Sequence, residues 1–526
     1  LINEINNLGI NEISKQRFFD LRVKGTDKFL TIPFAEYGSV IKEFKIKHKE
    51  LFGFFPSEDL EVANLRVEVN GQMERIEVHS HAETNKAIKS ISQTELFIDN
   101  KFVKTKIYER ENLPIGTKFD GPVIITDLNS NIVVEPGFRI CVNEQGHLRI
   151  SQVTNQRLEI SPERNAISLE IFNNLFMGIA EEMGFTLQNT AHSVNIKERL
   201  DFSCALFDEN GNLVANAPHV PVHLGAMSES VKSIINSNKN KMKKGDCYLI
   251  NNPHRGGSHL PDLTVISPVF STEKSPLFYV ASRGHHADIG GITPGSIPPF
   301  SKTIHDEVII IDNFLLLKDG NLRENEFVHL LTDSKHPARN IEERKYDINA
   351  QIAAVTKGIS EMENLISKYG LETVKSYMNH IRRNSAEAMS DALEKYLDGD
   401  ESKELGFEDC LDDGSRISVK INITKEEERD PPFCAIVDFS GTSPQLNNNL
   451  NAPIAVTKAA VLYVFRLLIN KNIPLNSGCL DQISLIIPDD SILNPSDEAA
   501  VVGGNVETSQ RITDVLLGAL GLAGAS

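Results

Sequence analysis

Apolar and polar side chains alternate with a period of two in the first part of the chain, most clearly over residues 19–23 and 65–69. This period is typical of half-buried β-strands. Short apolar runs at residues 123–125 and 132–134 indicate two further strands. The pattern predicts a small β-rich domain, built as a sandwich or a barrel, over residues 1–150.

The next stretch, residues 151–163, is polar and contains a proline, which is typical of a linker. A helix should begin near Ser161, because serine is a good N-cap and Pro162 suits the first helical position. Its predicted core-facing stripe comprises Ile167, Leu169, Ile171, Leu175 and Ile179. Residues 164–526 are then expected to form a second, larger domain.

A helical pattern dominates residues 350–397. One apolar stripe runs over residues 352–366 and ends at Gly370, and a second runs over 374–396. Stripes of this spacing are typical of helices that face a core. A pattern typical of β-strands returns at residues 416–440. The fold class predicted is α+β, with a small β-rich domain followed by a large mixed α/β module that contains a central helical segment.

Composition narrows the possible partners. The net charge of −18 over 526 residues argues against a nucleic-acid binder, which needs clustered Lys and Arg. No apolar run is long enough to cross a membrane. The six scattered cysteines favour free thiols in a reducing cytosol, so we expect a cytoplasmic protein without a signal peptide. Because the chain begins at Leu1 and ends without a polar tail, we also expect it to be part of a longer protein.

Acidic residues and histidines are concentrated in a few loop-like stretches. Six of the 15 histidines fall within 68 residues. No P-loop motif is present, and Ser203 lacks the G-x-S-x-G context of a hydrolase nucleophile. The stretches that could carry chemistry are residues 197–203, 219–225, 251–262 and 282–291.

The H-x-x-D spacing occurs twice beside paired glycines, as His259 with Asp262 and as His285 with Asp288. Imidazoles and carboxylates are ligands for divalent cations, and glycine lets loops approach one centre. Asp201 could complete the site from a third loop. A nitrogen and oxygen ligand set without thiolate favours Zn, Mn or Fe. The alternative is that these histidines cap turns.

Three other histidines have less specific surroundings. His219 and His223, in the motif H-V-P-V-H, could be ligands, supporting groups or buried core residues. His286 should point away from His285 if the backbone there is extended, because side chains alternate along a strand. Only one of these two neighbours is therefore expected to face the site.

Ordered motifs of the chain resemble the hydantoinase B/oxoprolinase family from about residue 163 to the end. They include K-E-R-L-D-F-S-C-A-L-F-D, N-N-P-H-R-G-G-S-H-L-P-D, S-R-G-H-H-A-D-I-G-G and G-G-N-V-E-T-S-Q-R. Residues 1–150 resemble the carboxy-terminal part of hydantoinase A, through F-F-D-L-R-V-K-G, F-K-I-K-H-K-E-L-F-G-F and G-P-V-I-I-T-D. An A-type tail that runs directly into a B-type domain is similar to fused 5-oxoprolinases, whereas N-methylhydantoinases and acetone-type carboxylases usually encode the two modules separately.

The resemblance implies an ATP-dependent hydrolase that opens a cyclic amide, converting 5-oxo-L-proline, ATP and water into L-glutamate, ADP and phosphate. It also implies roles for individual residues. The metal ligands would be Asp201, His259, Asp262 and His285. The catalytic groups would be Asp201, His285 and Asp288. The groups that orient the substrate would be Arg283, His286 and His223.

The resemblance further implies partners. The substrate would be a small cyclic amide, 5-oxoproline or a hydantoin, and ATP with Mg²⁺ would be bound by an amino-terminal A-type ATPase portion that this chain lacks. We therefore expect the chain to be inactive alone and to assemble as a homodimer or larger oligomer. Two alternatives stay open: an N-methylhydantoinase-like or acetone-carboxylase-like subunit, and a non-catalytic assembly module.

Overall fold

A computed structural model describes residues 2–7, 12–52, 59–71, 88–98, 101–153, 160–217, 220–270, 275–469 and 473–522. The helices in these ranges are α1 (Ile2–Asn7), α2 (Tyr37–Phe52), α3 (Ala166–Thr190), α4 (Val194–Lys197), α5 (Pro221–Ser237), α6 (Ile304–Glu307), α7 (Glu324–Thr332), α8 (Ile341–Tyr369), α9 (Leu371–Leu397), α10 (Ile454–Leu468) and α11 (Ser509–Ala519). The strands are β1 (Ile13–Val23), β2 (Phe29–Pro33), β3 (Leu60–Gly71), β4 (Ser92–Ile98), β5 (Lys101–Glu109), β6 (Lys118–Asp120), β7 (Val123–Thr126), β8 (Asn131–Val134), β9 (Phe138–Val142), β10 (Leu148–Gln152), β11 (Phe202–Phe207), β12 (Leu213–Asn216), β13 (Cys247–Ile250), β14 (Asp262–Val269), β15 (Phe278–His285), β16 (Phe314–Lys318), β17 (Asn321–Leu322), β18 (Ser402–Cys410), β19 (Arg416–Lys425), β20 (Phe433–Asp438) and β21 (Ile483–Ile486).

Backbone contacts divide the chain into two compact units, one of Leu1–Gln16 with Glu68–Glu159 and one of Arg17–Val67 with Ile160–Ser526. The first unit contains two small sheets with the strand orders β4-β5-β7-β8 and β10-β9-β6. Both sheets contribute to one apolar cluster, made of Tyr108, Leu113, Val123, Ile125, Val134, Ile140 and Val142. The predicted β-rich amino-terminal region is therefore confirmed.

Residues 17–67, which the sequence pattern assigned to the amino-terminal domain, group with the large unit instead. Contacts of this segment with the large unit include two with α3 and α4. The rings of Phe52 and Phe185 stack with centroids 6.5 Å apart, and Lys197 forms an ion pair of 2.9 Å with Asp27. These long-range contacts have no signature in local sequence periodicity.

The alternation at residues 65–69 correctly predicts a strand, which lies within β3. It does not predict burial, because Leu65 is 73% exposed and Val67 is 53% exposed. The strand lies at the edge of the sheet β2-β1-β3, so it gains cover from a neighbouring strand on one side only.

The centre of the large unit is a seven-stranded sheet with the order β12-β11-β15-β14-β13-β16-β17. All of its pairings are antiparallel. Helix α5 packs on one face through Met227, Val231 and Ile234, and α3, α8 and α9 pack on the other face. Because side chains alternate along each strand, neighbouring residues of one strand serve two different cores.

Helices α8 and α9 are the central helical segment that the apolar stripes predicted. They meet at Gly370, whose positive φ of 85° ends one helix and starts the next. The carboxy-terminal part of α9 joins α10 and α11 in a further core against the sheet β18-β19-β20-β21. The strands expected at residues 416–440 are β19 and β20.

The predicted start of the first long helix is wrong by several residues. Helix α3 begins at Ala166, and its N-cap is Asn165, whose side chain accepts a hydrogen bond of 2.8 Å from the Ser168 amide. Ser161 and Pro162 precede the helix. An asparagine cap followed by a good helix former competes successfully with the serine-proline pair.

The predicted stripe of α3 is also partly wrong. Ile167 is 76% exposed and Ile171 is 39% exposed, whereas Phe172 and Phe176 are fully buried. Ile179 is buried as predicted, and Leu169 and Leu175 are partly buried against the same core. The phenylalanines carry more apolar area, so the helix turns them inward.

Within the ranges described, no helix has the length and apolar character needed to cross a bilayer. The six cysteines, at positions 141, 204, 247, 410, 434 and 479, are free thiols.

Candidate metal centre

Three neighbouring strands of the seven-stranded sheet bring the candidate residues together at one end. Strand β14 begins at Asp262, opposite His285 at the end of β15. Strand β11 begins directly after Asp201, and the His285 amide donates a hydrogen bond of 3.0 Å to the Asp201 carbonyl. Because strand direction alternates, the loop before β11, the loop before β14 and the end of β15 all lie at the same edge.

The loop before β14 supplies His259, and its close packing explains why two glycines precede this histidine. A Cβ added to Gly256, whose φ is +95°, would lie 2.1 Å from the Ser230 amide nitrogen of α5. A Cβ on Gly257 would lie 2.3 Å from the Asn251 carbonyl oxygen. Only residues without a side chain allow the loop this close to α5 at Gly256 and to the segment after β13 at Gly257.

One nitrogen from each of two imidazoles and one carboxylate oxygen converge in a triangle. The distance from His285 Nδ1 to Asp262 Oδ1 is 2.9 Å, and from His285 Nδ1 to His259 Nδ1 it is 3.3 Å. His259 Nδ1 lies 3.9 Å from Asp262 Oδ1. Ligands about 2.1 Å from a tetrahedral ion lie about 3.4 Å from one another, and the three distances bracket this value.

The surroundings favour the protonation states that a cation needs at Asp262 and His259, but not at His285. Burial would raise the pKa of the Asp262 carboxyl, but the imidazoles of His223, His285 and His259 hold it well below its usual range. Burial lowers the pKa of His259 to about 4, so this imidazole is neutral at pH 7. Burial also opposes the charging of His285, yet its hydrogen bond to Asp262 raises its pKa overall. A metal ion would compete with that proton.

His223 supports the cluster from α5. Its Nε2 lies 3.0 Å from Asp262 Oδ2, and its Nδ1 lies 3.1 Å from the Ser203 hydroxyl. The Ser258 hydroxyl also donates to Asp262 Oδ2, at 3.1 Å. His223 is 2% exposed, so these contacts suit it to orient Asp262 rather than to meet a substrate. His219 lies outside the described residues.

Asp201 lies next to the triangle without forming part of it. Its Oδ2 is 3.9 Å from His285 Nδ1, and its side chain is 37% exposed. The three-residue cluster of His259, Asp262 and His285 has all of its ligand atoms within 4.8 Å of one another. Ligation by Asp201 as a fourth residue remains a prediction, and among these residues its carboxylate is the most accessible to solvent.

The Arg283 guanidinium is enclosed by other side chains of the large unit. Arg283 is fully buried, and its guanidinium donates to Thr264 Oγ1 at 2.8 Å, Ser258 Oγ at 3.0 Å and Ser230 Oγ at 2.8 Å. These contacts hold the glycine loop against α5. The expectation that Arg283 binds substrate is therefore corrected to a structural role.

His286 points to the opposite face of the sheet from His285, as the alternation predicted. It is fully buried, and its Nε2 lies 3.0 Å from Gln351 Oε1 of α8. A side chain on that face is separated from the cluster by the sheet. The expectation that His286 orients substrate is corrected for this reason.

Asp288 also lies away from the cluster, despite the repeated H-x-x-D spacing. Its carboxylate accepts hydrogen bonds from the amides of Gly290, Gly295 and Arg339 and from the Arg339 guanidinium, at 2.8 to 3.0 Å. Asp262 begins a strand, whereas Asp288 follows the end of one, so equal spacing produces different geometry. The expected catalytic role of Asp288 is corrected to that of a loop anchor.

Sequence reasoning missed two residues that contact this region. Ser258 stands immediately before His259 in the glycine loop, so its position in the motif could have revealed it. Gln351 is a fully buried polar residue of α8, which is an unusual place for a side chain whose two polar atoms both need partners.

Comparison with known protein families matches two parts of the chain. The model of the hydantoinase/oxoprolinase C-terminal domain matches residues 59–153. The model of hydantoinase B/oxoprolinase matches residues 165–526, which include the whole candidate centre. The chain belongs to the hydantoinase B/oxoprolinase family. The resemblance inferred from the motifs is thereby confirmed.

Several family members named 5-oxoprolinase align with nearly the whole chain. "5-oxoprolinase 1" of Arabidopsis thaliana is 41% identical over 97% of this chain and 42% of its own length. The 5-oxoprolinase of Saccharomyces cerevisiae is 40% identical over 98% of this chain and 42% of its own length. The chain thus spans less than half the length of these relatives.

Two solved structures share the fold. An ATP-dependent caprolactamase from Pseudomonas jessenii superposes with a TM-score of 0.60 at 23% identity, over 68% of this chain and 60% of that one. A nucleotide-free acetone carboxylase superposes with a TM-score of 0.53 at 15% identity, over 65% of this chain and 46% of that one. At these identities the likeness extends to the fold alone, and it confirms the mixed α/β architecture.

Proposed function

We propose that this chain carries the lactam-side centre of an ATP-dependent cyclic-amide hydrolase of the 5-oxoprolinase type. The reaction would convert 5-oxo-L-proline, ATP and two molecules of water into L-glutamate, ADP and phosphate. The observation that carries this proposal is the identity of 40 to 41% with plant and yeast proteins named 5-oxoprolinase, over 97 to 98% of the chain.

The chemistry explains why ATP is needed. A five-membered lactam is stabilised by amide resonance and closes readily, so hydrolysis alone has little driving force. Transfer of the terminal phosphoryl group of ATP to the lactam oxygen releases ADP and activates the ring carbon. One water adds to that carbon and the C–N bond breaks, which leaves an acyl phosphate. The second water hydrolyses this acyl phosphate to glutamate and phosphate.

The cluster of His259, Asp262 and His285 is suited to hold one divalent cation, with Zn, Mn and Fe as the candidates. Two imidazole nitrogens and a carboxylate oxygen form a ligand set these ions accept, and their separations fit a common ligand distance. When bound, such an ion supplies a Lewis acid that polarises a carbonyl or phosphoryl oxygen.

The side chains of this chain would then divide the remaining work. His223 and Ser258 hold Asp262 Oδ2, which leaves Oδ1 directed at the two imidazoles. Asp201, half-buried beside His285, is suited to accept a proton at Oδ2 from the attacking water. A positioned carboxylate of this kind typically contributes a factor of about 10² to 10⁴ to the rate.

ATP and Mg²⁺ would be bound by an A-type ATPase portion outside this chain, so we expect the chain alone to have no ATP-dependent activity. The test measures glutamate release from 5-oxoproline by the chain alone and by the chain joined to the portion that its longer relatives carry. Activity should require that portion and ATP, and Asp201→Asn should reduce it at least 100-fold. The matched control is Asp306→Asn, which changes a carboxylate that caps the short helix α6.

The alternative functions are distinct outcomes of the same assay. Turnover of hydantoins, or ATP-dependent carboxylation of a ketone, in place of 5-oxoproline opening would contradict the proposed substrate and favour a hydantoinase-like or carboxylase-like subunit. Absence of every activity in the complete protein would favour a non-catalytic assembly module. Cytoplasmic location and assembly as a homodimer or larger oligomer remain predictions.

A further inference from the structure

Helix α8 presents a row of polar side chains to the interior of the large unit. Arg344, Asp347 and Gln351 are all fully buried, and their spacing of three and four residues puts them on one face of the helix. Burying such groups costs stability unless they find partners. Gln351 and Asp347 bond to the segments that lead to the candidate centre, whereas Arg344 donates to the Asp288 carbonyl at 3.2 Å and pairs with Glu343.

Gln351 joins the two strands at the point where they carry ligands. Its side-chain amide donates to the carbonyl of Leu263, the residue after Asp262, at 2.9 Å, and to the carbonyl of Ser282 at 3.1 Å. Its side-chain oxygen lies 3.0 Å from Nε2 of His286, the residue after His285. One side chain therefore contacts both β14 and β15 beside the cluster.

The sheet leaves space for this contact at Gly284. A Cβ at that position would lie 3.4 Å from Cδ and from Nε2 of Gln351, and 3.1 Å from Cδ1 of Ile196. The contact with Ile196 would be tighter than ordinary van der Waals contact for a Cβ, and the contacts with Gln351 would be at its lower limit. The glycine before His285 thus lets the helix amide approach the backbone closely.

Asp347 performs the corresponding task for the loop before β11. Its Oδ1 accepts hydrogen bonds from the amides of His192 and Ser193, at 2.9 and 3.0 Å. Ser193 is the N-cap of the short helix α4, after which the chain turns and reaches Asp201. The Asp201 backbone is then tied to His285 through the hydrogen bond between their main chains.

We infer that Gln351, assisted by Asp347, positions the metal ligands from the opposite side of the sheet. Gln351 sets the separation of Asp262 and His285, and Asp347 sets the approach of Asp201. This inference rests on the proposed metal centre. Groups that orient ligands without touching the ion typically change metal affinity by 10- to 100-fold when removed.

The test is titration of the metal-free chain with Zn²⁺ by calorimetry. Gln351→Met keeps the volume but removes all three polar contacts, and Gln351→Asn keeps an amide that is too short to reach the two carbonyls. Both variants should weaken Zn²⁺ binding 10- to 100-fold and alter the visible absorption of bound Co²⁺. The control is Val355→Ala on the same helix, which removes buried apolar volume and should lower stability while leaving the Zn²⁺ dissociation constant within twofold.

The outcomes separate two failures. If the unaltered chain binds Zn²⁺ but the folded Gln351 variants bind it equally well, the positioning role is wrong and the metal centre stands. If the unaltered chain binds no Zn²⁺, the metal centre itself fails, and the positioning role fails with it. Using two replacements keeps the test decisive if one of them does not fold.

Discussion

Replacing Asp262 by asparagine should destabilise the metal-free protein far more than its small change in shape suggests. Four donors converge on this buried carboxylate: His285 Nδ1 at 2.9 Å, His223 Nε2 at 3.0 Å, the Ser258 hydroxyl at 3.1 Å and the His259 amide at 3.3 Å. An asparagine offers one oxygen and one NH₂ group. At least one of the four donors must therefore face another donor or change its tautomer.

The size of the destabilisation follows from the number of donors that lose their acceptor. Removing one partner of a buried charged pair costs about 3–5 kcal/mol. The least unfavourable rotamer turns the NH₂ group toward His285, whose ring can change tautomer, and keeps the oxygen toward the other three donors. We therefore expect a loss of about 3 kcal/mol, at the lower end of that range. Asp201→Asn, in a side chain 37% exposed and 3.9 Å from His285, should cost less than about 1 kcal/mol.

The assay is urea unfolding in the presence of EDTA at pH 7, followed by circular dichroism because the chain contains no tryptophan. The transition of the large unit should shift to lower urea for Asp262→Asn, with little shift for Asp201→Asn. Equal midpoints for Asp262→Asn and the unaltered protein would refute the picture of a buried carboxylate that organises three histidines.

Two further predictions concern buried positions of the large unit. Burial raises the pKa of Glu307 to about 7, so the folded state holds a proton that the unfolded state releases near pH 4.5. The free energy of unfolding, relative to that of Glu307→Gln, should therefore fall by at most about 3 kcal/mol as pH rises from 4.5 to 7. A difference between the two proteins that is independent of pH in urea titrations would contradict this. Gly225→Ala would put a Cβ 2.5 Å from the Ala459 Cα and push α5, with His223, away from α10. It should lower stability by about 1–3 kcal/mol and weaken Zn²⁺ binding, whereas Gly178→Ala in α3, where the added Cβ meets nothing within 4 Å, should leave Zn²⁺ binding unchanged.

Local sequence patterns predicted the helices whose buried face is determined by residues three and four positions apart. The apolar stripes on both sides of Gly370 predicted α8 and α9, because each turn of these helices brings an apolar side chain to the same face. The register of α3 was not predictable in this way. Isoleucines and phenylalanines lie on neighbouring faces of that helix. Whether Ile171 or Phe172 is buried depends on the sheet and helices packed against it.

The candidate site was predicted where ligand chemistry and backbone freedom coincide in a short motif, as in the loop of His259 and Asp262. The same spacing misled at Asp288, because the role of an aspartate depends on whether a strand begins or ends beside it. Gln351 was missed for another reason. Its partners His286 and Leu263 are 65 and 88 residues away in the chain, so no local pattern records the contact.

Anomalous diffraction from crystals grown with Zn²⁺ tests the metal centre most directly. We predict one strong peak about 2.0–2.2 Å from His259 Nδ1, Asp262 Oδ1 and His285 Nδ1, and its loss in the Asp262→Ala variant. A protein that crystallises with Zn²⁺ yet shows no peak between these three side chains, or that retains the peak without Asp262, would contradict the assignment.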